Sequence, residues 1–190
     1  MKKILVTGAG GFVGSRVMQQ WAGHYELCTF PKGFLATAGE DAVRQAVLQQ
    51  RPDVILHTAA ISDTGYCAGH PEQAYRANVE LSVWLARAAA EIGAKLVHVS
   101  TDYVFSGDAA QPVWEYDLPA PRSVYGKTKL LGEQYVQQFC THYFIVRTAW
   151  LYGYAGNNFV KTMLRLARQN GGVTVVDDQY GRLTFTRDMA

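Results

Sequence analysis

Apolar positions along this chain fall alternately into short continuous runs and longer spaced stripes. Ile4-Leu5-Val6 is an apolar run of strand length and predicts a strand over residues 3–7. Val13, Val17 and Trp21 then recur at spacing four, the repeat of one helix face. Residues 25–30 predict a second strand, and residues 41–50 a helix closed by Pro52-Asp53. Val54-Ile55-Leu56-His57 has few polar breaks, as strands covered on both faces do. Pro71 opens a long helix, where its missing N–H costs nothing, with Ala77, Leu81, Leu85, Ala88 and Ile92 as its stripe. Residues 96–100 predict a fourth strand. A loop with Pro112, Pro119 and Pro121 leads to a helix from Ser123, and residues 144–147 predict a fifth strand. A helix over 158–170 carries Phe159, Met163 and Leu166 on one face and stops at Gly171-Gly172. Residues 173–176, Val-Thr-Val-Val, predict a sixth strand. The expected fold class is therefore α/β, an open, doubly wound parallel sheet with helices on both faces.

Such sheets bind ligands beyond the carboxyl ends of their strands. After the first strand comes Thr7-Gly-Ala-Gly-Gly-Phe-Val-Gly14, with Gly8, Gly11 and Gly14 at spacing three and Gly10 extra. Strand, glycine turn and helix is the context of a dinucleotide site. Gly8 permits the tight turn, Gly11 the approach of backbone to a pyrophosphate, and Gly14 the packing of helix on strand. The helix start offers free N–H groups to phosphate. A plain turn is the alternative. The second strand ends Thr29-Phe30-Pro31-Lys32, without the acid that takes a ribose 2′-hydroxyl. Lys32 suits a 2′-phosphate, so NADP(H) is favoured over NAD(H); a solvated loop charge is the other reading. Ala59 and Ala60 are small enough at a strand end for a cofactor to lie close. Asn78 either ties down a neighbouring loop or touches the cofactor.

Tyr125 and Lys129 lie four apart in a helical run and share one face. An ammonium beside a phenol favours the phenolate, by about 4 kcal/mol at roughly 4 Å and an effective dielectric near 20. The expectation is a tyrosine pKa drawn toward neutrality, suited to exchanging a proton with a carbonyl oxygen. Ser100 and Thr101 bring hydroxyls to the end of the fourth strand. Gly132, costly inside a helix, is expected to allow close packing on the sheet. Gly8, Ala59, Thr101, Thr148, Trp150 and Tyr125 all fall on one rim.

The 190 residues are 48% apolar and 18% charged, the composition of a folded soluble protein. A net charge of +2 gives no reason to expect a nucleic-acid or membrane partner. Cys28, Cys67 and Cys140 show no C-x-x-C spacing and read as reduced thiols of a cytoplasmic protein. His24, His57, His70, His98 and His142 show no metal-ligand spacing, so structural or surface roles and no metal are expected. Neither a leader ahead of the first strand nor a bilayer-spanning run is expected.

With these residues assembled, the chain resembles an extended short-chain dehydrogenase/reductase. Within that superfamily it is most similar to the dTDP-4-dehydrorhamnose reductase family and its sugar-nucleotide-binding relatives. The carrying stretches are residues 7–14, 88–107 with Ser-Thr-Asp-Tyr-Val-Phe, 123–133 with Val-Tyr-Gly-Lys-Thr-Lys, 146–153, 158–167 and 175–190. The resemblance implies a Rossmann-type fold and NADPH-dependent reduction of the C4 ketone of a nucleotide-linked deoxysugar. It implies Thr101, Tyr125 and Lys129 as the catalytic trio, Tyr125 protonating the oxygen, Thr101 orienting it and Lys129 binding the nicotinamide ribose. The cofactor side would be Gly8, Gly10, Gly11, Phe12, Val13, Gly14, Lys32, Ala59, Ala60, Ser100, Tyr125 and Lys129. The substrate side would be Thr101, Asp102, Tyr103 and Trp150, with aromatic packing the other reading for Tyr103 and Trp150.

Phe12, Ala36 and Leu183 depart from the family pattern, and Gly-Gly-Phe-Val-Gly looks more like nucleotide-sugar epimerases and dehydratases. Two alternatives stay open: a non-catalytic NADP-binding regulatory subunit, and an epimerase or dehydratase. Family members continue past Ala190. The expectation is a truncated chain, a dinucleotide-binding domain over 1–190 whose residues 150–190 begin an incomplete substrate region. The long helices leave room for a homodimer.

Overall fold

The computed structural model describes residues 1–109, 111–156 and 158–190. The chain runs β1 (Lys3–Thr7), α1 (Phe12–Gln20), β2 (Glu26–Cys28), α2 (Phe34–Thr37), α3 (Glu40–Gln50), β3 (Val54–His57), α4 (Thr64–Gly69) and α5 (Pro71–Tyr75). A π-turn over Arg76–Glu80 leads into α6 (Leu81–Ile92). Then come β4 (Lys95–Thr101), a 3-10 turn at Asp102–Val104, α7 (Val124–Phe139), β5 (Tyr143–Thr148), β6 (Leu151–Tyr152), α8 (Phe159–Asn170), β7 (Thr184–Phe185) and α9 (Thr186–Met189).

The main sheet has the order β2-β1-β3-β4-β5, and every pairing is parallel. The order reverses after β1, so β1 and β3 flank the crevice where such sheets hold ligands. Strand periodicity sorts the apolar runs into two cores. Leu5, Ile55 and Leu96 join Val43, Val47, Leu81, Leu85 and Val136 on one face. Ile4, Val6 and Leu56 join Val13 and Val17 of α1 on the other. Alternate residues of one run thus serve opposite faces, which is why the strands are apolar throughout.

Two expectations need correction. Residues 173–176 form no strand: Val173, Val175 and Val176 are exposed, and no strand pairs with them. β-propensity describes fit to a half-buried pleated surface; without a neighbouring edge and a face to bury, it forms nothing. A small parallel pair of β6 and β7 takes the place of a sixth strand. Gly132 packs against the helical layer rather than the sheet backbone. A Cβ there would come within 2.6 Å of the Asn78 carbonyl and 3.3 Å of Ser82 Oγ.

Candidate active site

The glycine turn is a cradle defined by exclusion. Gly8 has a φ of +67°, and a Cβ on it would lie 2.8 Å from the Ala59 nitrogen. A Cβ on Gly14 would meet the Gly8 carbonyl oxygen at 2.2 Å. The first turn of α1 is thereby pressed onto the end of β1, and its N–H groups open toward the crevice. A Cβ on Gly10 would meet nothing within 4 Å, so Gly10 is free of that demand.

Beside the cradle lies a cleft of about 400 Å³, lined by Gly11, Phe12, Val13, Thr58, Ala60, Ser62, Val99, Ser100, Thr101, Asp102, Tyr103, Tyr125, Lys129, Thr148, Trp150 and Leu151. The three residues singled out for chemistry meet here. Thr101 ends β4. Tyr125 and Lys129 stand one turn apart on α7, whose N-terminus Ser123 caps by accepting from the Gly126 N–H at 3.0 Å. Gly126 lets α7 reach the rim, since a Cβ on it would collide with the Tyr103 carbonyl at 2.1 Å.

Thr101 Oγ1 donates to Asp102 Oδ1 at 3.1 Å and accepts from the Tyr103 N–H at 3.2 Å. The Tyr103 ring meets Tyr125 edge-on, centroids 5.6 Å apart. Trp150 takes a left-handed backbone conformation, φ +47°, uncommon for a bulky residue. Its indole lies against Gly181, where a Cβ would come within 2.5 Å of the ring.

The electrostatics run against the expected coupling of phenol and ammonium. Burial pushes the Tyr125 phenol up to about 12, with Thr101 pulling the other way and Asp102 adding to the rise. Burial likewise pulls Lys129 down from 10.5 to about 8, opposed by the nearby Glu133 carboxylate. The Lys129 Nζ donates to the Val99 carbonyl at 2.7 Å and lies 3.4 Å from His98 Nε2. Desolvation penalises both charged forms and is the largest cause of each shift. The free protein therefore presents a neutral phenol.

Of the expected cofactor residues, Gly11, Phe12, Val13, Ala60 and Ser100 line the cleft; Gly8, Gly14 and Ala59 form the wall behind it. Lys32 is exposed in the turn after β2 and does not line the cleft. Asn78 ties down a loop: its Oδ1 accepts from the Ile61 N–H at 2.9 Å, and its Nδ2 donates to the Ile61 carbonyl and to Thr128 Oγ1, both at 3.0 Å. Sequence reasoning placed Thr148 on the rim and missed Thr58, Ser62 and Leu151 as lining residues. Their one signal was position just past the strand ends. The described residues hold no cluster of side chains that would bind a metal, and no described helix is long and apolar enough to cross a membrane.

Residues 1–190 match the family described as RmlD substrate binding domain. This chain belongs to that family. A spore coat polysaccharide biosynthesis protein, SpsK of Bacillus subtilis, is 40% identical over 192 residues, covering 100% of this chain and 68% of that protein. The dTDP-4-dehydrorhamnose reductase of Escherichia coli K12 is 39% identical over 185 residues, covering 95% of this chain and 62% of that enzyme. A crystal structure of the dTDP-4-dehydrorhamnose reductase of Bacillus anthracis in complex with NADP superposes with a TM-score of 0.94. It is 39% identical and covers 99% of this chain and 67% of that one. The UDP-glucose 4-epimerase of Thermotoga maritima, 22% identical with a TM-score of 0.83, shares the fold. The chain thus spans between 62% and 68% of the length of these RmlD-type relatives.

Proposed function

We propose that this chain carries out NADPH-dependent reduction of the C4 ketone of a nucleotide-linked deoxysugar, in the manner of a dTDP-4-dehydrorhamnose reductase. The observation that carries the reading is one cleft holding Thr101, Tyr125 and Lys129 together with Gly11, Phe12 and Val13 of the glycine turn. The family match and the NADP complex of the Bacillus anthracis relative support it.

The residues fit a dinucleotide. Gly8 and Gly14 leave a cradle that any side chain would fill, and the buried Ser100 Oγ has no partner among the described residues. The α1 N-terminus would hold the pyrophosphate, Lys129 the nicotinamide ribose, and Lys32 a 2′-phosphate; Lys32 follows β2, the strand next to β1. When bound, the nicotinamide supplies the hydride. Tyr125 holds the proton, because at about 12 its phenol is fully protonated at neutral pH. It gives that proton to the carbonyl oxygen as negative charge develops there. Thr101 hydrogen-bonds the same oxygen and fixes its direction. Asp102, Tyr103 and Trp150 form the sugar side of the cleft. In this reading residues 1–190 are a dinucleotide-binding domain whose residues 150–190 begin the substrate region. In the same reading the protein works in the cytoplasm, in keeping with its three free cysteines, and pairs through its long helices as a homodimer, which light scattering would test.

The test is NADPH oxidation with a dTDP-4-keto-6-deoxysugar. Tyr125→Phe is expected to cut turnover by about 10²- to 10⁴-fold while leaving NADPH binding intact. Tight NADPH binding by the unaltered chain without any turnover would sink the catalytic reading in favour of a regulatory one. Lys32→Ala is expected to weaken NADPH about fivefold, near the ~1 kcal/mol of an exposed ion pair, without changing NADH affinity.

A further inference from the structure

Beneath the cleft lies a buried polar layer that the proposed reaction does not use. His57 ends β3 and His98 lies in mid-β4; both are fully buried, their ring centroids 5.1 Å apart. Hydrogen bonding fixes the first ring. Ser82 Oγ donates to the Asn78 carbonyl at 2.8 Å, so it must accept from His57 Nε2 at 3.2 Å. His57 Nδ1 is then bare and accepts from Thr7 Oγ1 at 2.8 Å.

The second ring is fixed by a cation. His98 Nε2 lies 3.4 Å from the Lys129 Nζ, and His98 Nδ1 is buried without a partner among the described residues. An ammonium has three donors and no acceptor, so the contact attracts only if Nε2 carries no proton. Nδ1 is unpaired in either tautomer, so the Nε2 side alone decides. A doubly protonated ring is ruled out by burial and by the neighbouring Lys129 charge, which hold His98 far below its ordinary range.

We propose that His98 is a positioning residue for Lys129. Held neutral as the Nδ1–H tautomer, it presents a bare Nε2 that, with the Val99 carbonyl, fixes the ammonium at the floor of the cleft. The inference deepens the reading of Lys129 as a cofactor ligand and rests on it for its purpose, although not for its measurement. The charged and titratable groups around Lys129 are His98 from β4, His57 from β3, Tyr125 and Glu133 from α7, and Arg147 from β5, paired with Glu133.

The experiment reads the full chain by nitrogen-15 NMR, without cofactor. In the unaltered protein His98 should show a protonated Nδ1 and a bare Nε2; a protonated Nε2 would overturn the proposal without any mutant. The Lys129 ammonium should then be titrated in His98→Gln, whose amide oxygen can replace Nε2 as acceptor, and in His98→Leu, which has no acceptor. His98→Leu should lower the ammonium pKa, making deprotonation about tenfold easier, while His98→Gln stays near the unaltered protein. Equal titration in all three would refute the positioning role. If the NMR outcome holds but NADPH fails to bind, the cofactor reading fails alone.

Discussion

Lys129 shows at the level of one residue how a site costs its host stability. It is buried, and its folded-state pKa of about 8 lies below its ordinary 10.5. Below about pH 8 the folded chain carries the full penalty of a desolvated ammonium. Between about pH 8 and 10.5 the folded chain sheds that proton while the unfolded chain keeps it, so stability attributable to this residue rises with pH. Lys129→Met is therefore expected to stabilise the protein at pH 7 by about 1–3 kcal/mol, with the gain shrinking by about pH 10. Urea unfolding of both proteins at the two pH values measures it; a gain that does not shrink with pH would refute the account. The pair of Tyr125 and Lys129 was legible in the sequence because i and i+4 share a helix face. The direction of their pKa shifts was not, because it depends on burial, which spacing does not reveal. A neutral phenol can still donate its proton, but the lowered pKa that the helix spacing led one to expect is absent in the free protein.

Between elements, the decisive contact joins α7 to the edge strand β5. Glu133 is 2% exposed in its side chain and accepts from Arg147 Nη2 at 2.6 Å and Nε at 3.0 Å. The Arg147 guanidinium also lies over the Phe105 ring, 5.0 Å from its centroid. Tyr125, Lys129 and Glu133 follow one another at spacing four, so this clamp sets the rotation of the face that carries Tyr125 and Lys129. Arg147→Met would strand a buried carboxylate and should destabilise the fold by about 3–5 kcal/mol. Glu133→Leu combined with Arg147→Met should recover most of that loss. Thermal unfolding of the single and double variants decides it; equal loss in both would show that the arginine acts through packing instead. The long helices were legible from their stripes, down to Pro71 and the stop at Gly171, whereas the short α2 and α4 carry no stripe and were not. The π-turn at Arg76–Glu80 was not, because a one-residue widening leaves the apolar repeat nearly intact. It sits where Asn78 turns inward to bond Ile61 and Thr128.

For the whole molecule, acid is the condition that exposes the buried layer. Burial takes His57 from 6.5 down to about 3, and His98 is also held far below its ordinary range. The unfolded chain takes up these protons below about pH 6.5, whereas the folded chain refuses them. The stability they contribute is complete above that range and is lost as pH falls toward about 3. Between about pH 7 and pH 4, His57 alone should remove roughly 3 kcal/mol. Urea midpoints at the two pH values should fall steeply for the unaltered protein and less steeply for His57→Gln. Parallel slopes would show that the ring titrates freely. The sequence by itself determined the strand–helix alternation, the glycine cradle and the rim on which Thr101, Tyr125 and Lys129 lie, because periodicity and turn chemistry are local properties. Only the tertiary structure decided that Val173–Val176 has no sheet to join, that burial sets the direction of both the Tyr125 and Lys129 pKa shifts, and that two histidines far apart in the chain meet at a tilt beneath the lysine. Those outcomes depend on which distant segments share a neighbourhood and on how much water is left there.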